Sequence, residues 1–237
     1  MKTLLRYGGF PKPFLSARDA SHRKWLRMRR DLLLREDLRD LSRVEDVAAI
    51  ELLVQLLLPR VGQLLNYHNI VHDIEASVDS IRRWIQLLNN LYYTYLILPY
   101  THQVKRSLKK MPKLFLWDWS EVPDEAARFE NMVASHLLKA THYWTDKGLG
   151  NFELYYIRDK EKREVDFLVT KEQKPFLLAE CKLAETNISP HLHYFSQKLT
   201  VPYSCQVVLQ RKAEGKSLLE IKPCEVISAS DFCQSLP

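Results

Sequence analysis

Two apolar segments that contain charged residues constrain this chain more than any other feature of its sequence. Glu164–Thr170 and Pro175–Leu183 are rich in aliphatic side chains and have the pattern of two buried strands joined by a short polar turn. Asp166, Glu180 and Lys182 interrupt them, although an unpaired charge is costly to bury. Glu180 and Lys182 are two residues apart, so both side chains leave the same face of one strand. The segments therefore predict a cluster of charges in the middle of a sheet.

Two carboxylates and a lysine are the groups expected in a metal-dependent site that cleaves phosphodiesters. Mg²⁺ prefers oxygen ligands and keeps several waters, and Asp166, Glu180 and the main-chain carbonyl of Cys181 would supply oxygens. Glu130, at the border of an apolar helical stripe, would add a ligand directly or through water. Lys182 would orient or deprotonate the attacking water, or neutralise charge on the phosphate.

We therefore predict Glu130, Asp166, Glu180 and Lys182 as catalytic residues, with Mg²⁺ as the cofactor. Two alternatives remain open at this point. The charges either pair with one another as a structural network without catalysis, or they form the polar outer face of an edge strand.

The elements around this pair of strands indicate an α/β sandwich on a mixed sheet. The expected elements are a strand at Lys113–Trp117, a helix from about Asp124, a strand at Phe152–Arg158, the two charged strands, a helix at His191–Leu199, strands at Cys205–Gln210 and Leu218–Ile221, and a short final helix. A helix, then an acid on one strand and Glu-x-Lys on the next, is the layout of the PD-(D/E)XK nuclease-like core, a restriction-endonuclease-like fold. We predict this domain at residues 113–237.

The charge of the chain is unevenly distributed. Residues 1–112 carry 19 Lys and Arg against 11 Asp and Glu, a net +8, whereas residues 113–237 carry 16 against 18, a net −2. A basic half of this kind suits contact with an anionic polymer such as DNA.

The sequence has no C-x-x-C spacing for zinc, no G-x-x-x-x-G-K-[ST] loop for ATP, and no apolar stretch suited to a signal peptide or a membrane span. We expect a cytoplasmic protein without membrane contact and without an ATP site in this chain.

Residues 44–112 have the helix order of a winged-helix-like domain. A capping box at Ser42–Glu45 would open an amphipathic helix, a short helix follows at about Asn69–Glu75, and Ser77 would cap a longer helix at about 78–93. A wing would follow, made of the extended residues 95–100 and the basic residues 105–110. The side chains expected to contact DNA are Arg82, Arg83, Gln86, Lys105, Arg106, Lys109 and Lys110. The alternative is a module for packing or dimerisation.

The residues before this domain are predicted to be a loop and a basic helical linker, 1–43. Tyr7–Pro13 has two glycines and two prolines in seven positions, which predicts a loop over residues 1–16. A basic helix is expected over residues 18–41. Its charges either form a solvated face or contact phosphate groups.

Six motifs, in order along the chain, resemble one known family. They are Tyr7-Gly-Gly-Phe-Pro, Arg60-Val-Gly-Gln-Leu-Leu-Asn66, Ser80-Ile-Arg-Arg-Trp-Ile, Pro112-Lys-Leu-Phe-Leu-Trp-Asp118, Arg128-Phe-Glu-Asn-Met-Val-Ala134 and Glu164-Val-Asp-Phe-Leu-Val169. Together they resemble the domain-of-unknown-function family 4143 (DUF4143) over nearly the whole chain. One motif departs from the family, because Asp118-Trp-Ser-Glu121 stands where Asp-Thr-Gly-Leu is common.

The resemblance implies a winged-helix-like segment followed by a PD-(D/E)XK nuclease-like domain, as in the C-terminal part of AAA-type ATPases. It also implies an ATPase domain before Tyr7, so we expect a fragment, a truncated gene or a stand-alone version. The expected function is that of a nucleic-acid-associated protein with a Mg²⁺-dependent nuclease-like domain, coupled to an AAA-type ATPase. DNA and an ATPase domain or subunit are the expected partners, and a homo-oligomer is open. The alternative is a non-catalytic DNA-binding or ATPase-docking module with a relic nuclease core.

Overall fold

The computed structural model describes most of the chain and divides it into two compact units. The residues described are 1–33, 47–101, 110–185 and 187–237. Unit 1 comprises Met1–Leu96 and Pro112–Arg128. Unit 2 comprises Ile97–Met111 and Phe129–Pro237.

Unit 1 is mainly helical. Its described helices are α1 (Lys2–Tyr7), α2 (Pro11–Ser16), α3 (Asp19–Asp31), α4 (Val47–Leu57), α5 (Tyr67–Ile74) and α6 (Val78–Asn90), with 3-10 helices at Leu58–Arg60 and Trp119–Glu121. The first half of β1 (Thr94–Pro99) and all of β2 (Lys113–Leu116) also belong to it. Ile50, Leu53, Ile70, Ile81 and Leu88 are fully buried, so the apolar stripes of α4, α5 and α6 form the core of this unit.

Polar caps fix the starts of two helices in unit 1, α5 and α6. The Asn66 side chain accepts a hydrogen bond of 3.0 Å from the N–H of His68, at the start of α5. Ser77 accepts one of 3.0 Å from the N–H of Ser80, at the start of α6, which satisfies a donor that the helix leaves unpaired. The predicted order of a longer, a short and a longer helix is therefore confirmed. The capping box at Ser42–Glu45 lies outside the described residues, as does the end of the helix predicted at 18–41.

The prediction of a loop over residues 1–16 is wrong, because α1 and α2 occupy most of this segment. Gly8 ends α1 with a φ of 80°, a conformation that costs glycine little. Pro11 stands at the first turn of α2, where a missing N–H costs no helical hydrogen bond. The glycines and prolines thus separate two short helices.

Unit 2 combines three described α-helices with most of the strands. Its elements are α7 (Glu125–Asp146, whose first turn lies in unit 1), β3 (Phe152–Arg158), β4 (Glu164–Lys171), β5 (Lys174–Lys182), α8 (Pro190–Leu199), β6 (Tyr203–Val208), a 3-10 helix at Leu218–Glu220, β7 (Glu225–Ser228) and α9 (Ala229–Gln234). Leu192 and Phe195 of α8 pack with Val165, Leu168 and Leu178 of β4 and β5. This cluster is part of the core of unit 2.

The seven described strands form a mixed sheet in the order β2-β1-β3-β4-β5-β6-β7. Two antiparallel hairpins, β3–β4 and β4–β5, are flanked by parallel pairs, β1–β3 on one side and β5–β6–β7 on the other. The predicted mixed α/β class is confirmed. None of the described helices combines the length and the apolar character needed to cross a membrane.

Two segments predicted to be extended differ from the prediction: one pairs with a different part of the chain, and the other is not a strand. Of residues 95–100, which were expected in a wing, all but Tyr100 belong to β1, where Leu98 pairs with Tyr155 of β3 in parallel. The strand expected at Leu218–Ile221 is wrong, because a 3-10 helix lies there and β7 begins at Glu225. Pro223 has no N–H to donate to a ladder, so the strand forms only after it.

Candidate active site

The β4–β5 hairpin places the predicted acids close to each other. Its two-residue turn is Glu172-Gln173, and both residues have positive φ values, 48° and 63°, as a type I′ turn requires. The antiparallel ladder continues to the pair Phe167–Ala179. Asp166 and Glu180 are the next residues on the two strands, so their carboxylates lie on the same face of the sheet.

Asp166 is held by the main chain of the neighbouring strand. Its Oδ2 accepts a hydrogen bond of 2.9 Å from the N–H of Cys181. The carboxylate thus binds an amide on β5 just beyond the last regular pair of the ladder. This contact fixes the position of the carboxylate beside Glu180.

Glu180 and Lys182 form an ion pair on the same face of β5. The Nζ of Lys182 donates a hydrogen bond of 3.0 Å to Oε1 of Glu180. Glu180 is only 6% exposed, whereas the Lys182 side chain is 32% exposed. Among the described residues, Oε2 of Glu180 is buried without any hydrogen-bond partner. A buried carboxylate oxygen without a donor is costly, so this atom is a candidate ligand position.

The protonation of this pair is set by burial and by neighbouring charges. Burial raises the pKa of Glu180 to about 7, the charge of Asp166 adds to this effect, and Lys182 opposes it. Burial works to lower the pKa of Lys182, but the hydrogen bond to Glu180 and the charges of Glu180, Asp166 and Glu185 outweigh it, and the pKa is raised above 10.5. Lys182 is therefore a cation at neutral pH, the form that can neutralise charge on a substrate phosphate.

Glu130 lies on α7 and is half-buried. Burial raises the pKa of the Cys181 thiol well above its ordinary value, and the charges of Asp166, Glu130 and Glu180 raise it further. All three predicted acids thus act electrostatically on one residue of β5. Across the described ranges, no three His, Cys, Asp or Glu side chains are arranged to hold a metal ion.

The chemistry of these residues fits a divalent cation held by few protein ligands. Mg²⁺ in proteins is commonly bound by one or two carboxylates together with waters and substrate phosphates. Asp166 and Glu180 supply two neighbouring carboxylates, and Oε2 of Glu180 is without a donor in the described part of the chain. The main-chain carbonyl of Cys181 and the Glu130 carboxylate are the further oxygens that the sequence suggests.

Gln206 is a residue near this site that sequence analysis did not single out. It lies opposite Glu180 in the parallel β5–β6 pair and is fully buried. Its Nε2 donates to the carbonyls of Glu185 and Asn187 at 2.8 and 3.0 Å, and its Oε1 accepts from the N–H of Ser189 at 2.9 Å. Gln206 therefore fixes the segment that follows Lys182. The sequence did contain a signal, because Gln206 is the one amide in the otherwise apolar residues 205–209 of a predicted strand, and a buried amide needs partners.

The residues predicted to contact DNA are only partly described. Arg82, Arg83 and Gln86 are exposed on α6, as the sequence indicates. Arg82 lies 5.4 Å from the centre of the Tyr67 ring. Lys110 is exposed. Lys105, Arg106 and Lys109 lie outside the described residues.

Two arginines of the basic helix α3 form ion pairs inside unit 1. Arg29 and Arg30 form ion pairs of 3.2 and 2.8 Å with Glu121, and the Tyr93 hydroxyl donates to the same carboxylate at 2.9 Å. Asp118, which is fully buried, accepts a hydrogen bond of 3.1 Å from the N–H of Ser120. The unusual Asp118-Trp-Ser-Glu121 motif is therefore explained by a polar network that anchors α3.

Comparison with known families divides the chain near residue 125. Residues 1–121, just over half of the chain, match the family model described as Domain of unknown function (DUF8612). The chain belongs to the DUF8612 family. Residues 126–229 of this DUF8612 protein match a second model, Domain of unknown function (DUF4143). The resemblance to DUF4143 is confirmed for this part only, since four of the six motifs fall in the DUF8612 region. No curated protein and no solved structure matches the chain.

Proposed function

We propose that unit 2 is a Mg²⁺-dependent nuclease-like domain that cleaves phosphodiester bonds in DNA. One observation carries the proposal. At the end of the β4–β5 hairpin, Glu180 pairs with Lys182 through Oε1, while its buried Oε2 has no hydrogen-bond partner in the described residues, and Asp166 occupies the facing position on β4. A buried site with two acids and one cation is the arrangement needed to hold a metal ion and a phosphate together.

Each residue has a distinct role in this proposal. Asp166 and Glu180 would hold Mg²⁺, with Glu130 and the Cys181 carbonyl as additional oxygen donors. When bound, Mg²⁺ supplies Lewis acidity toward the phosphate. Lys182, kept protonated by its carboxylate neighbours, would bind a non-bridging phosphate oxygen and offset the negative charge that develops there. Because Lys182 is about one-third exposed, a substrate can reach it.

The proposal also includes DNA contact by residues 44–112 and coupling of the chain to an ATPase. A winged-helix role for residues 44–112 is supported by the order of α4, α5 and α6 and by the exposure of Arg82, Arg83 and Gln86. These side chains would contact DNA phosphates or bases. Coupling to an AAA-type ATPase rests on the family resemblance alone.

The proposal is tested with the purified chain and supercoiled, linear and single-stranded DNA in the presence of Mg²⁺ or Mn²⁺. We expect cleavage by the wild-type protein and a loss of about 100-fold or more in Asp166→Asn and Lys182→Met, since each removes a charge from the reacting centre. Glu164→Gln is the matched control, because Glu164 lies on the same strand but pairs with Arg158 at 2.7 Å. Absence of cleavage on every substrate, or equal activity in Asp166→Asn, would reject the proposal.

The alternative is a non-catalytic binding module with a relic nuclease core. It is favoured by the contacts that already occupy part of the site, since Asp166 accepts from Cys181 and Glu180 from Lys182. In that case calorimetry would detect no Mn²⁺ binding. DNA affinity would fall with salt as phosphate contacts require, and it would be the same in Asp166→Asn and in the wild type. Metal binding that is lost in Asp166→Asn would exclude this alternative.

A further inference from the structure

A groove between α2 and α3 in unit 1 is unrelated to the candidate active site. Its volume is about 240 Å³, and Pro13, Trp25 and Met28 supply its apolar lining. Lys12 and Lys24 contribute cations to the same lining. A groove of this size holds one or two large side chains.

Exposed apolar residues are concentrated in the segment of the chain that forms this groove, and Met28 is one of the groove's lining residues. In the part of the chain that the structure describes, nine large hydrophobic residues are exposed, and four of them lie between residues 14 and 32: Phe14, Leu15, Met28 and Leu32. Leu15 is 78% exposed and Met28 is 52% exposed. Single exposed apolar residues are ordinary, but a concentration of them in the segment that forms a groove indicates a contact surface.

The surface around the groove is also strongly basic. Residues 1–33 contain nine Lys and Arg but only two Asp. One of those acids, Asp19, is paired with Arg6 at 2.7 Å. Arg18, Arg23, Lys24 and Arg27 are all exposed, and Lys24 lines the groove together with Lys12, so an occupant of the groove would meet two cations.

We infer that this groove binds a protein segment in which a bulky apolar side chain is flanked by acidic residues. The apolar side chain would enter between α2 and α3, and the carboxylates would meet Lys12 and Lys24. The concave shape favours a peptide or helix over a lipid surface, which receives protruding apolar side chains. The exposed Leu15 and Met28 favour protein over DNA, because protein–DNA interfaces are more polar.

The inference is tested on the full chain with three labelled helical peptides. Each carries two leucines one turn apart, and the flanking positions hold Glu, Gln or Lys. We expect the Glu peptide to bind at least tenfold tighter than the Lys peptide in fluorescence anisotropy, and salt to weaken its binding. Met28→Asp and Lys24→Glu should each lower the affinity for the Glu peptide by about tenfold or more.

Matched variants outside the groove provide the controls. Leu149→Asp changes another exposed apolar residue, 55% exposed, and Lys174→Glu changes another exposed lysine. Both should bind the Glu peptide as the wild type does, and circular dichroism should show all four variants folded.

Three outcomes would overturn the inference. The first is that no peptide binds, and the second is that the Lys peptide binds as tightly as the Glu peptide. The third is that the peptides fail to bind while a labelled single-stranded oligonucleotide, or vesicles containing phosphatidylserine, bind the chain and lose that binding in Lys24→Glu. Such a result would assign the surface to nucleic acid or to a membrane.

Discussion

The main-chain N–H of Cys181 donates a hydrogen bond of 2.9 Å to Oδ2 of Asp166. In a regular antiparallel ladder that amide would meet a main-chain carbonyl of the partner strand. Here the regular pairing of β4 and β5 reaches Phe167–Ala179, and a side chain accepts the next contact. Because the Asp166 side chain takes the place of a main-chain carbonyl, its carboxylate lies next to the buried Glu180. The candidate site is therefore located where one side chain replaces the backbone ladder.

Replacing Glu180 by Gln should change how stability depends on pH. The pKa of Glu180 is about 7 in the folded protein, against an ordinary value of 4.5. The folded state then holds a proton that the unfolded chain releases, so this group makes the protein less stable as pH rises between those values. Between pH 5 and 8, wild-type stability should fall by about 2–3 kcal/mol relative to Glu180→Gln. Urea unfolding in the presence of a chelator measures this difference, and parallel pH curves for the two proteins would contradict the prediction.

Replacing Gln206 by Leu should destabilise unit 2. The substitution leaves the carbonyls of Glu185 and Asn187 and the N–H of Ser189 without their present partner, and we expect a loss of about 2–4 kcal/mol. Gln197→Leu, on the exposed side of α8, should cost about 0.5 kcal/mol or less. Thermal or urea unfolding compares the two variants, and equal losses would show that the Gln206 contacts contribute nothing specific.

Glu121→Gln should destabilise unit 1 strongly. The carboxylate is buried, pairs with Arg29 and Arg30 and accepts from Tyr93, so its neutralisation removes the counter-charge that the described part of the chain offers these two guanidinium groups. The expected cost is about 3–5 kcal/mol. Asp79→Asn removes an exposed ion pair with Arg82 and should cost less than about 0.5 kcal/mol. Denaturant unfolding of both variants tests the contrast, and a small effect of Glu121→Gln would argue against the network as an anchor of α3.

Alanine should be tolerated very differently at two glycines with similar backbone angles. Gly8 has a φ of 80° and Gly148 a φ of 71°. A Cβ at Gly8 would come within 2.6 Å of Oδ1 of Asp118, whereas a Cβ at Gly148 would meet no described atom within 4 Å. Gly148→Ala should therefore cost only the conformational term of about 1 kcal/mol, and Gly8→Ala clearly more. Melting temperatures of the two variants measure this, and similar values would show that the Asp118 contact relaxes easily.

The part of the fold that follows from local sequence was predicted well. β3, β4 and β5 are mainly apolar segments separated by polar turns, and the structure places them within one or two residues of the predicted bounds. The carboxylates of Asp166 and Glu180 meet because they lie on the two strands of one hairpin. Local alternation and a short turn are enough to predict such a pair.

Features that depend on distant contacts were missed. The apolar pattern at 95–100 indicated a strand, but nothing local shows that it pairs with β3. The contacts of Gln206 could not be predicted for the same reason, since its partners lie 17 to 21 residues earlier in the chain. The roles of Arg29 and Arg30 could not be separated from those of the exposed cations of α3, because Glu121 is some ninety residues away.

The Glu172-Gln173 turn has a consequence for how this sequence can vary. The register of β4 and β5 at the site is set by this turn together with the register shift at Val169/Thr170. With that shift unchanged, one added or deleted residue in the turn would rotate Glu180 and Lys182 to the opposite face of the sheet. A change of two residues would restore the face but move both groups by about 7 Å along the strand. Homologous chains that retain this site should therefore differ in the hairpin by substitution and keep its length constant, while insertions accumulate in other loops.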